Sequence, residues 1–135
     1  MIKIISISIV TVSVLFSSLV FAGGHTKGMY IHIINFNITG IDRSQYEASA
    51  MKLTSVFAAV PGLKRKHWLA NEENNTYGGV YIFDSKESHD AFTESELYAG
   101  VKGNPSFTNF SGKSFENIDS LAKHTKRNRI ILNER

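Results

Sequence analysis

Apolar and polar positions alternate along residues 29–37, with Tyr30, His32, Ile34 and Phe36 on one face and Ile31 and Ile33 on the other. Both faces carry apolar side chains, so this strand is expected to be covered on both sides. The period then changes. Tyr46, Ala50, Leu53, Phe57 and Val60 recur at helical spacing, in a helix that Asp42 and Gln45 open as a capping pair and Pro61-Gly62 ends. Residues 63–70 read as a second strand, 71–76 as a turn and 79–84 as a third strand, with Gly78-Gly79 as a turn or bulge leading into it. Asp84 and Glu87 form another capping pair, for one helix running through Ala91, Phe92, Leu97 and Tyr98 and closing between Gly100 and Gly103. Asn104-Pro105 leads to a fourth strand over 107–116, and residues 118–122 add at most a short turn. The order βαββαβ predicts an α+β, ferredoxin-like plait.

Such a plait has helices on one sheet face and leaves the other bare. The apolar second face of the first strand therefore predicts that two copies close their sheets on each other as a homodimer.

The 135 residues bound the answer to one domain, and the start of the chain is expected to lie outside it. Lys3, a serine-diluted apolar run over 4–16 and Val20-Phe21-Ala22 resemble a signal peptide over residues 1–22, cut after Ala22, which implies a periplasmic or secreted protein. A retained membrane anchor is the alternative reading of that segment. Residues 23–28 then form a flexible start, 29–122 the folded domain and 123–135 a basic tail. With no cysteine in the chain, disulfides and thiol chemistry are excluded. The net charge of +3 sits in the tail, where Lys123, Lys126, Arg127, Arg129 and Arg135 face only Glu134. Charge confined to a terminus argues against nucleic acid as a partner, and no stable membrane association is expected once the leader is gone.

Sequence motifs for metal, phosphate or serine-nucleophile chemistry are absent, and the histidines are scattered. The chemistry is therefore expected in a pocket. Lys66 and Trp68 are two apart on a strand and leave the same face. An ammonium beside an indole suits a planar anion such as a phenolate. The alternative is structural, the Lys66 stem packing along Trp68 with its head in water. His32 reads as a core or interface histidine, or as the group that takes a proton from a bound phenol. Tyr81 reads as a packed tyrosine or as a second proton-handling group. Phe36, Phe57 and Phe92 are core candidates that would also line an apolar cavity.

The block Pro61-Gly62-Leu63, Lys66, Trp68 and Tyr77-Gly78-Gly79-Val80-Tyr81 resembles the signature of the YdhR-like monooxygenases. Ala91-Phe92, the run from Ser95 to Val101, Asn104-Pro105 and the strand ending at Phe115 extend the likeness over roughly residues 29–121. The resemblance implies a dimeric α+β barrel of the antibiotic-biosynthesis-monooxygenase type. It also implies a cofactor-independent oxygenase that lets O2 react with a deprotonated phenolic or polyketide-like aromatic. Lys66, Trp68 and Tyr81 would be pocket residues. Arg65 departs from the pattern, standing where some members carry an aromatic, and it completes a run of three cations, Lys64 to Lys66. The competing expectation is an exported, non-catalytic module of the same fold that binds a hydrophobic ligand, or haem through His32 or His67.

Overall fold

The computed structural model describes residues 28–126. The expected leader, most of the expected flexible start and the end of the basic tail lie outside them. The elements are β1 (Tyr30–Ile38), α1 (Arg43–Ala58), β2 (Leu63–Asn71), β3 (Thr76–Phe83), α2 (Lys86–Thr93), α3 (Glu96–Lys102), β4 (Phe107–Glu116) and α4 (Asp119–Thr125). The four strands form one antiparallel sheet in the order β2-β3-β1-β4, the ferredoxin-like arrangement that the element order predicts. No described helix is long and apolar enough to cross a membrane.

Local chemistry explains most boundaries. The Asp42 side chain accepts from the Gln45 backbone N–H while the Gln45 side chain accepts from Asp42 N–H, a complete capping box. Two expectations are corrected. The second helix is two helices, because the Ser95 hydroxyl accepts from Tyr98 N–H and caps a fresh start at α3. Ser85, rather than Asp84, caps α2, and the Asp84 carboxylate instead accepts hydrogen bonds from the Ser85 and Ser88 hydroxyls. The segment after β4 continues past a turn into α4, reaching into the basic tail.

Gly78 lies within β3 rather than in a turn before it, at φ 152° opposite Asn35. A β-carbon there would stand 1.9 Å from the Ile34 carbonyl oxygen, so glycine is needed for β3 to close on β1.

Residues opposite one another in the register share a face. On the helix-covered face Ile34, Phe36, Ile38, Tyr77, Tyr81 and Phe83 are buried, joined by Tyr46 and Phe57 from α1 and Phe92 from α2. The opposite face carries Ile31, Ile33, Leu69, Val80, Ile82 and Phe115, and no described element covers it. The two apolar faces of β1 thus have different fates in a single copy.

Candidate functional site

α1 and α3 stand over the sheet and leave a cavity of about 400 Å³ beneath them. Its walls include Phe36, Tyr46, Phe57, Lys66, Trp68 and Tyr81. β2 supplies Lys66 opposite Tyr81, and Trp68 opposite Gly79. The missing side chain at Gly79 matters, since a β-carbon there would lie 3.1 Å from the Tyr81 ring and 3.4 Å from Lys66 Cε.

The Lys66 ammonium is enclosed by aromatic faces. Nζ lies 3.2 Å from the ring centre of Phe57, 3.2 Å from that of Trp68 and 4.7 Å from that of Tyr81. Two effects oppose each other here. Burial brings the ammonium down from its ordinary 10.5 to about 6. The ring faces favour the charged form by about 0.5–2 kcal/mol each, which returns part of that loss. Lys66 is therefore an amine that exchanges its proton far closer to neutrality than an exposed lysine does.

The other polar groups of the cavity behave differently. Burial raises Tyr46 to about 12 and holds Tyr81 above the ordinary phenol range, so both remain protonated donors. Among the described residues neither hydroxyl has a hydrogen-bond partner, and no fully buried side-chain polar atom is left unsatisfied. Both hydroxyls thus touch accessible space, where a ligand oxygen can meet them. Glu96 also borders the cavity, from an exposed position at the start of α3.

His32 and Phe92 fall elsewhere. Phe92 packs behind Tyr81, with ring centres 5.2 Å apart, and lines a separate recess between α1 and α2. His32 is buried toward β4 in a polar cluster. Its Nδ1 lies 2.9 Å from Ser114 Oγ and 3.2 Å from His89 Nε2, and its Nε2 lies 3.3 Å from the Tyr98 hydroxyl. His89 Nε2 is 2.9 Å from Ser114 Oγ, and its Nδ1 is 2.8 Å from Asp90 Oδ1. One arrangement of protons satisfies all five groups, with Tyr98 O–H donating to His32, His32 to Ser114, Ser114 to His89 and His89 to Asp90. Burial, then the neighbouring His89, lowers His32 from 6.5 to about 4, so it is neutral at physiological pH. Scattered in the sequence, these histidines meet in space. Even so, no set of three or more His, Cys, Asp or Glu among the described residues is placed to hold a metal ion.

The family described as "Putative mono-oxygenase ydhR" matches residues 31–128. The chain belongs to the YdhR family. The match runs past residue 122 and takes in α4. No protein of curated function matches. Similar solved structures include a "putative antibiotic biosynthesis monooxygenase" from Caulobacter crescentus, at 14% identity and TM-score 0.56, over 70% of this chain and 93% of that one. SnoaB, a cofactor-independent oxygenase from Streptomyces nogalater, aligns at 13% identity and TM-score 0.54, over 65% and 91% of the two chains. The haem degrader MhuD from Mycobacterium tuberculosis, solved with two haems in its active site, aligns at 19% identity and TM-score 0.54, over 66% and 95%. At these identities the likeness shows a shared fold, that of antibiotic-biosynthesis-type monooxygenases. Within this YdhR chain the cavity brings together Lys66, Trp68, Tyr81, Phe36 and Phe57 from the sequence-derived set and leaves out His32 and Phe92. Tyr46 joins them unanticipated. Its place on the inner stripe of α1 was visible, but its role on a cavity wall was not.

Proposed function

We propose that this protein is an oxygenase that accepts a small acidic aromatic, phenolic or polyketide-like, in the cavity beneath α1 and α3 and oxidises it with O2 without a bound cofactor. The observation that carries this reading is the Lys66 amine, held among three ring faces on the wall of an apolar cavity with its basicity reduced by burial. A neutral amine there takes the phenol proton, and the resulting ammonium holds the phenolate by charge. Trp68 offers a stacking surface, and the Tyr46 and Tyr81 hydroxyls donate to the substrate oxygens. The deprotonated ring is the reductant. One oxygen atom enters a ring carbon and becomes the quinone oxygen, the other leaves as water, and the four electrons that reduce O2 come from the substrate. The apolar walls keep competing water from the ring.

The same fold also hosts haem degradation, as in MhuD. No described histidine lines this cavity: both ring nitrogens of His32 are engaged, and His67 lies opposite Val80 on the uncovered sheet face. That geometry favours a small aromatic over a histidine-ligated haem. A second copy is the proposed cover for the uncovered apolar face, as in a dimeric α+β barrel.

Oxygen uptake by the purified protein against hydroquinones, anthrones and dihydroxynaphthalenes, with no cofactor added, tests the reading. Uptake above the autoxidation blank that is lost in Lys66→Ala supports it. Tight binding of the same aromatics without any uptake would replace it with a non-catalytic binding module.

A further inference from the structure

Lys66 differs from every other described lysine in its surroundings. The others are exposed, whereas Lys66 is half-buried on β2. Ring faces surround its nitrogen, and among the described residues it has neither a hydrogen bond nor an ion pair. No enclosed side-chain nitrogen or oxygen among them lacks a partner, so Lys66 Nζ touches open space. Lys66 lines the cavity of about 400 Å³ together with Tyr46 and Tyr81, whose hydroxyls are free to donate. Burial has already brought the amine down to about 6. An amine with no carboxylate paired to it, unprotonated near neutrality, is a nucleophile as well as a base.

Building on the cavity and the amine of the reading above, but not on its O2 step, we propose that Lys66 captures an aromatic aldehyde in this cavity as a reversible imine. The Lys66 nitrogen attacks the carbonyl carbon and forms the C–N bond. Both nitrogen protons pass to the former carbonyl oxygen, which leaves as water, and a C=N double bond remains. Addition of water reverses the step, and no oxidant or reductant is consumed. The Tyr46 and Tyr81 hydroxyls polarise the carbonyl by donating to its oxygen, and the aromatic walls hold the aryl group. An ordinary exposed lysine keeps fewer than about one amine in a thousand unprotonated at neutrality, so the reaction selects Lys66.

Reductive trapping of 2-naphthaldehyde with cyanoborohydride at neutral pH, followed by peptide mapping, tests this on the wild-type protein. Lys66 should be modified at least about 100-fold faster than any exposed lysine, an excess set by the free-amine fraction. Its modification should persist down to about pH 6, where the exposed lysines no longer react. Lys66→Met should lose the fast adduct and keep the slow background. Lys66 also borders a second depression beside β2, so protection reads the side of approach. 2-Naphthol, which has the same ring system and no carbonyl, should slow modification of Lys66 alone. Modification spread evenly over the lysines, or fast modification that 2-naphthol leaves unslowed, overturns the proposal. Calorimetry with 2-naphthol separates the two readings. Binding without a fast adduct overturns the imine and upholds the cavity for phenols. A fast adduct without oxygen uptake from any phenol upholds the imine and overturns the oxygenase. Neither binding nor a fast adduct overturns both.

Discussion

The Lys66 ammonium sits over the Trp68 ring, 3.2 Å from its centre, because residues two apart on β2 leave the same face of the strand. Phe57 approaches the same ammonium from α1 at 3.2 Å, so the contact ties a strand to a helix across the cavity wall. A cation enclosed this way is costly to bury and useful to keep. That tension yields the first two predictions.

Lys66→Met is expected to stabilise the ligand-free protein while abolishing oxygen uptake. The folded value of about 6 lies below the unfolded 10.5, so folding disfavours the proton, and stability from this residue rises with pH between those values. The cost of keeping Lys66 is largest at and below the lower value and vanishes above the upper one. After allowance for solvent and the ring faces it is on the order of 1–3 kcal/mol near neutrality. Melting curves at several pH values should show a gain for the variant that shrinks toward alkaline pH. A lower melting temperature at neutral pH would contradict the assignment of a burial cost to Lys66.

The rate of oxygen uptake should rise with pH as Lys66 loses its proton, from about 6 upward. Lys66→Arg keeps the charge but cannot give up its proton, so kcat should fall by about 100-fold or more with a smaller change in KM. Initial rates across a pH series decide the matter, and an arginine variant with unchanged kcat would remove the base from Lys66.

Acid should destabilise the fold through His32. Its folded value of about 4 lies below the unfolded 6.5, so the unfolded chain binds the extra proton between them, and stability falls as pH drops across that window. The loss is on the order of 2–3 kcal/mol. Ser114→Ala, which takes the shared hydroxyl from His32 and His89, should cost about 1–3 kcal/mol in urea denaturation yet leave kcat and KM for the aromatic unchanged. A loss of activity in a folded Ser114→Ala protein would bring this cluster into the reaction.

Ile33→Asp should hold the protein as a monomer. Ile33 lies opposite Val80 and Lys113 on the uncovered sheet face, where a carboxylate would have to be desolvated beneath a second copy. Sedimentation velocity on wild type and variant reads this directly. A monomeric wild type would show that something other than a second copy covers Ile31, Ile33, Val80 and Ile82.

The sequence by itself determined the elements and their order, because their causes are local. Alternation in β1, the helical stripe of α1, the Asp42–Gln45 capping box and the Pro61-Gly62 stop act within a few residues. Strand alternation alone likewise put Lys66 and Trp68 on one face. The split between α2 and α3 was also written locally, in Ser95, but a competing helical pattern through Phe92 and Leu97 concealed it. Only the tertiary structure decided which faces meet. It enclosed Lys66 between Phe57 and Trp68 and turned a strand cation into a half-buried amine. It joined His32 to residues 57 and 82 positions away, and so kept His32 out of the cavity to which Phe36 of the same strand contributes. Proton affinity depends on burial and on neighbouring charge, which arise from packing between distant segments, and no local pattern in the chain encodes them.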